Sequence, residues 1–254
     1  MRGLSGQRVV VTGGASGIGR ATAIRLAEEG CAVGIFDVDE EGATATKSMC
    51  SPGSGAVSVY KVDIVDYGQV ENAARQFERD VGPINFLANV AGWDKAKPFL
   101  ETDVDFWHRV IAINLYGPLN VQHVIAKGMA ERKFGRIVNV ASDAGRVGSS
   151  GEAVYSACKG GMIAFGKTLA RELVSKGVIV NTLCPGPTDT AILRSFLEGP
   201  DGAKIAEGLK RAIPMRRLGA PEDYPGIVAF LLSDDAAYIT GQTISVSGGL
   251  TMHG

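Results

Sequence analysis

The stretch RVVVTGGASGIGRA, Arg8 to Ala21, decides how the rest of the chain is read. Its first half is an apolar, β-branched run of strand type, its second half opens a helical period, and glycines crowd the junction. A strand that turns straight into a helix presents the backbone N–H groups of the helix N-terminus to an anion. In this reading Gly13 permits the tight turn, Gly17 lets the backbone approach a pyrophosphate, and Gly19 permits close packing of helix on strand, with Ser16 and Ile18 completing the loop. A triphosphate loop would need Lys followed by Ser or Thr after the last glycine, and Arg20-Ala21 stands there instead.

Outward from this turn, short β-branched runs alternate with longer segments of helical period, the pattern of crossover units feeding a parallel sheet. Strands are expected near Arg8–Thr12, Ala32–Phe36, Val57–Val62, Ile84–Ala88, Arg136–Val140, Val178–Leu183 and Thr243–Val246. Helices are expected over Ile18–Glu29, Glu40–Cys50, Tyr67–Val81, Val104–Glu131, Ala153–Ser175 and Glu222–Leu232. The fold class is therefore α/β: a single-domain, doubly wound Rossmann fold over residues 1–254, with a seven-stranded parallel sheet and helices on both faces. The polar stretch Thr188–Leu218, which holds Gly199-Pro200, interrupts the alternation and reads as a mobile substrate lid or as a surface insertion.

The 26 basic and 27 acidic residues nearly cancel, so no global positive field draws the chain to nucleic acid or to an anionic membrane. No apolar run approaches the roughly 20 residues that cross a bilayer. The opening MRGLSGQRVV lacks the pattern of a secretory signal, so a cytoplasmic location is expected. Cys31, Cys50, Cys158 and Cys184 form no CxxC pair and are joined only by His108, His123 and His253, which predicts neither a metal site nor a disulfide framework.

Asp37 ends the second strand about 20 residues after the glycine turn, where a carboxylate can accept hydrogen bonds from the adenosine ribose hydroxyls and repel a 2′-phosphate. No basic residue occupies Ser16 or Val38, so NAD is favoured over NADP. Ser142 follows the fifth strand, and Tyr155 and Lys159 stand four residues apart on one helix face. Lowering a phenol from about 10 to about 7 asks for about 4 kcal/mol, which Lys159 and a cationic nicotinamide together can supply. A lone YxxxK is more often a packed ring and a solvated lysine; the glycine turn and a strand-end serine on the same sheet edge give it weight.

With these residues in place the chain resembles the short-chain dehydrogenase/reductase family over essentially its whole length. The glycine turn matches TGxxxGxG, Asp63-Ile64 the adenine-contacting pair, Asn89-Val90-Ala91-Gly92 the NNAG motif, Pro185-Gly186 the nicotinamide-side turn, and Asn114, Ser142, Tyr155 and Lys159 the catalytic tetrad. The resemblance implies that Tyr155 gives the proton in ketone reduction and takes it in alcohol oxidation, that Ser142 orients the substrate oxygen, and that Lys159 binds the nicotinamide ribose. It further implies that Asn114 holds a water leading from Lys159, that Thr188 and Thr190 meet the carboxamide and pyrophosphate, and that the assembly is a homotetramer. Val90 departs from the motif by removing one amide, while Asn89 also reads as a turn-stabilising residue.

A closer resemblance, carried by AGWDKAKPF, ASDAGRVGSSGEAVYSACKGG, CPGPTDTA and SVSGGLTM, is to 2-hydroxycyclohexanecarboxyl-CoA dehydrogenases of alicyclic and aromatic acid degradation. It implies a small-molecule secondary alcohol or ketone, in one version a CoA thioester. Trp93, Asp94, Asp143, Arg146, Gly148, Ser149 and Cys184 adjoin the motifs and are candidates for the pocket wall. Lys95, Lys97, Arg194, Lys204, Lys210 and Arg211 read either as partners of CoA phosphates or as solvated surface. Three alternatives remain: a dehydrogenase of a free aryl or alicyclic alcohol, a 3-oxoacyl carrier-protein reductase, and a non-catalytic cofactor sensor. The second would want a basic residue near Ser16 or Val38, and the third would be expected to lack Tyr155.

Overall fold

Apolar residues along the first strand divide between two cores, and this division builds the layers. In the computed structural model, which describes residues 1–198 and 201–252, Val9 and Val11 pack into one core while Val10 packs into the other. Alternate side chains leave opposite faces of a strand, so a run that is buried throughout has a helical layer on each side.

Seven parallel strands run in the order β3-β2-β1-β4-β5-β6-β7. They are β1 (Arg8–Thr12), β2 (Ala32–Asp37), β3 (Val57–Lys61), β4 (Phe86–Asn89), β5 (Gly135–Val140), β6 (Val178–Pro185) and β7 (Thr243–Val246). The order reverses between β1 and β4, and a doubly wound sheet opens a crevice at that point, outside the carboxyl ends of its strands. The helices are α1 (Gly17–Glu28), α2 (Glu40–Met49), α3 (Tyr67–Asp80), α4 (Val104–Ile111), α5 (Gly117–Glu131), α6 (Ala144–Val147), α7 (Ala153–Leu173), α8 (Ala191–Phe196), α9 (Gly202–Ala212) and α10 (Pro225–Leu232). α1 packs on α10, and α3 packs on α5. Asp39, Asp66 and Asp103 cap α2, α3 and α4 by accepting from the backbone N–H of Gly42, Gln69 and Phe106.

Two expectations need correction. The helix expected over Val104–Glu131 is broken into α4 and α5 by a π-helical turn, Ala112–Tyr116, which carries Asn114 inward. Apolar periodicity runs through both halves and does not register one extra residue in a turn. Much of the stretch 188–218 is helical rather than irregular, in α8 and α9. Gly199-Pro200 and His253 lie outside the described residues. Among the described residues no helix is long and apolar enough to cross a membrane.

Candidate active site

The hydroxyl of Thr12, last residue of β1, ties the switch point together. It donates to Asn89 Oδ1 at 3.1 Å and accepts from the backbone N–H groups of Val90 and Ala91, each at 3.0 Å. The turn from β4 is thereby drawn against the turn from β1, so closely that a Cβ on Gly13, whose φ is +70°, would lie 2.8 Å from Ala91 Cα. A Cβ on Gly19 would lie 1.9 Å from the carbonyl oxygen of Gly13, so only glycine allows α1 to start where it does. Ser16, at the head of α1, makes no side-chain capping bond. A shallow cradle of backbone with a helix N-terminus behind it suits a pyrophosphate.

This cradle is one end of a cleft of about 1180 Å³ that also takes in Ile18, Asp37, Val38, Asp63, Ile64 and Gly92. The Asp37 carboxylate accepts from the N–H of Ala15 at 2.8 Å and of Asp39 at 3.0 Å, which fixes it at the end of β2. Arg20 is turned away: its guanidinium donates to Thr46 Oγ1 at 3.0 Å and to the carbonyl of Ala15. The residues present therefore fit a dinucleotide whose adenosine ribose carries free hydroxyls.

At the other end, Ser142 leaves β5 and Tyr155 and Lys159 project from the first turns of α7 into the same cleft, beside Pro185, Gly186, Thr188 and Thr190. Lys159 Nζ donates to the carbonyl of Val140 at 3.1 Å and lies 5.4 Å from the centre of the Tyr155 ring. Burial brings the Lys159 ammonium down to about 8. Burial, with the carboxylates of Glu152 and Asp94, pushes the Tyr155 phenol above its ordinary value, and the neighbouring Ser142 hydroxyl opposes that. The expected depression by Lys159 is thus outweighed in the protein alone, because burial penalises a phenolate before any cation compensates it.

Other expected residues fall behind the cleft. Asn89 is buried and accepts from Thr12 while donating to Pro118 O and Asn139 Oδ1, so it braces the turn instead of lining the cleft. Asn114 is buried, with its amide donating to the carbonyls of Trp93 and Val110 and its oxygen accepting from the N–H of Trp93. Cys184, expected on the pocket wall, is fully buried in β6, and burial pushes its thiol up to about 12. Position 184 alternates inward from the strand, which adjacency in sequence does not reveal.

The substrate side is walled by Trp93, Asp143, Ser149 and Val147, and by Ile192, Phe196, Ile205 and Leu209 from α8 and α9. Arg109 stacks over Trp93, with its guanidinium carbon 4.0 Å from the ring centre. None of Lys95, Lys97, Arg194, Lys204, Lys210 or Arg211 lines this cleft, and Arg194 is paired with Asp189 at 2.7 Å. Sequence reasoning missed Thr12, Arg109, Glu152 and the C-terminal Leu250–Met252, which also line or support the cleft. Thr12 stood within the glycine motif, but a strand-end hydroxyl gives no periodic signal.

A family described as "Enoyl-(Acyl carrier protein) reductase" matches residues 13–251. An acetoacetyl-CoA reductase of Allochromatium vinosum is 37% identical over 96% of this chain and 98% of that protein. A 2-dehydro-3-deoxy-L-rhamnonate dehydrogenase (NAD(+)) of Sphingomonas sp. is 36% identical over 97% of this chain and 96% of that protein. Among solved structures, an NAD+-bound xylitol dehydrogenase superposes with a TM-score of 0.93 at 32% identity, covering 98% of this chain and 100% of that one.

Proposed function

Since the chain belongs to the short-chain dehydrogenase/reductase family, and acts as an oxidoreductase on a secondary alcohol or ketone, we propose that its cofactor is NAD and its substrate an apolar cyclic ketone or alcohol. Asp37 carries the cofactor reading. Its carboxylate at the end of β2 would accept from ribose hydroxyls and repel a 2′-phosphate, Val38 beside it is uncharged and 60% exposed, and Arg20 is engaged elsewhere. The bound cofactor supplies the hydride acceptor or donor.

The protein's part is positional and acid–base. Gly13, Ser16, Gly17, Ile18 and Gly19 would hold the pyrophosphate, Asp37 and Val38 the ribose, Asp63, Ile64, Ala91 and Gly92 the adenine side, and Pro185, Gly186, Thr188 and Thr190 the nicotinamide side. Ser142 donates to the substrate oxygen, and Tyr155 gives it a proton in reduction or takes one in oxidation. Lys159, cationic below about 8, favours the phenolate and anchors the nicotinamide ribose. Asn114 keeps the loop after β4 and the π turn in register beside Lys159. We further propose that the chain assembles as a homotetramer and that residues 188–218 close over substrate.

Ile192, Phe196, Ile205, Leu209 and the Trp93 ring make an apolar wall suited to an alicyclic or aryl ring. The cluster of cations that CoA phosphates would favour is not on this wall, so the ring is the better supported half of the 2-hydroxycyclohexanecarboxyl-CoA reading. NADH consumption with 2-oxocyclohexanecarboxyl-CoA, a free aryl alkyl ketone and a 3-oxoacyl thioester separates the choices. Preference for either ring-bearing ketone supports the reading, and preference for the linear thioester overturns it in favour of a 3-oxoacyl reductase.

A further inference from the structure

A second cavity, too small for substrate, lies behind Tyr155. Asp94, Lys97, Phe99, Phe106, Glu152 and Tyr155 line it. Asp94 is 4% exposed, and its Oδ2 is buried with no hydrogen-bond partner. Glu152, three residues before Tyr155 and at the head of α7, makes no capping bond there and reaches both this cavity and the main cleft. The two carboxyl-bearing residues line the same crevice, with Tyr155 between them and the main cleft.

We propose that Asp94 and Glu152 share one proton behind Tyr155 and serve as a positioning pair that sets the pH at which Tyr155 ionises. The proposal rests on the reading of Tyr155 as proton donor and acceptor. Two neighbouring carboxylates, one of them buried, cannot both ionise cheaply, and an ionised Asp94 would leave its Oδ2 orphaned. A proton on Asp94 converts an acceptor into a donor toward Glu152 and removes that cost. The other groups facing the pair are the Lys97 side chain on the cavity wall, the backbone N–H of Lys95, Cys158 and Lys159 from α7, and Tyr155 itself. Among the described residues neither carboxylate forms a salt bridge. Burial, reinforced by Glu152, lifts Asp94 to about 7, with Lys159 pulling the other way.

The functional consequence follows from the charge. Below about 7 Asp94 is neutral; above it, its charge faces the phenol as well. Both carboxylates raise the Tyr155 value, so the pair keeps Tyr155 protonated to higher pH. That favours its role as proton donor in ketone reduction and holds back alcohol oxidation.

The test compares Asp94→Asn, Glu152→Gln and the double variant. In each, the rise of kcat/KM for alcohol oxidation with pH is expected to move to lower pH, by about one pH unit per charge removed. Infrared spectra of the wild-type protein should show a protonated-carboxyl band that titrates near 7 and is lost in Asp94→Asn. Superimposable pH profiles, or no such band at about pH 6, overturn the proposal. If the variants fail to fold, the wild-type band alone decides. A Tyr155→Phe enzyme that still turns over would refute the reading of Tyr155 and leave the band to judge the pair; an inactive one with unmoved profiles would refute the pair alone.

Discussion

On the proposed reading, the acid–base chemistry rests on one hydroxyl, that of Tyr155. Replacing it with Phe removes the proton donor and leaves the ring's packing, so kcat should fall by about 10² to 10⁴-fold while cofactor affinity, followed by NADH fluorescence, stays near wild type. Its raised ionisation also fixes a sign. Ketone reduction needs the phenol and should hold up into alkaline pH, whereas oxidation needs the phenolate and should rise with pH, a contrast read directly in paired kcat/KM profiles. Asp37→Ser should weaken NAD by about 1.5–3 kcal/mol, roughly ten- to hundredfold in Kd, and narrow the gap to NADP. That Tyr155, Lys159, Ser142 and Asp37 meet in one cleft was legible in the sequence, because their spacing and strand-end placement are local facts. The direction of the Tyr155 shift was not, because it comes first from burial, and Asp94 reaches the phenol only when the loop after β4 packs beside the head of α7.

Elements carry the site through their ends. Thr12 joins the ends of β1 and β4 with three hydrogen bonds, so Thr12→Val should cost roughly 2 kcal/mol or more in chemical denaturation and weaken cofactor binding with it. Strand positions followed from the β-branched runs, and the sixth strand simply extends to Pro185, beyond its expected end. The break inside Val104–Glu131 escaped because a π turn keeps both flanking helices amphipathic. α8 escaped because six residues are too few for a period to show, whereas α9 carries a clear amphipathic period that is masked by the polar composition around it. They supply Phe196 and Leu209 to the apolar wall, and Phe196→Ala should raise KM for a cyclic ketone severalfold with kcat little changed, since it removes binding that ground and transition states share.

For the whole molecule, the parallel sheet places the glycine turn, the Ser142 strand end and the Pro185-Gly186 turn along a single edge, and α7 swings Tyr155 and Lys159 over it. A ligand spanning that edge should tie the fold together. NAD at about 100 times its Kd should add about 2.7 kcal/mol of stability, or about 5 to 10 °C in Tm, and NADP at equal concentration clearly less. The account centres on hydride transfer between NAD and a ketone carbon with Tyr155 as the acid. The most direct test is reduction of a cyclic ketone with NADH deuterated at nicotinamide carbon 4, for the wild-type enzyme and Tyr155→Phe. The account predicts deuterium at the carbinol carbon with wild type and almost no product with the variant. Deuterium absent from that carbon, or product formed at the wild-type rate without the tyrosine hydroxyl, would contradict it.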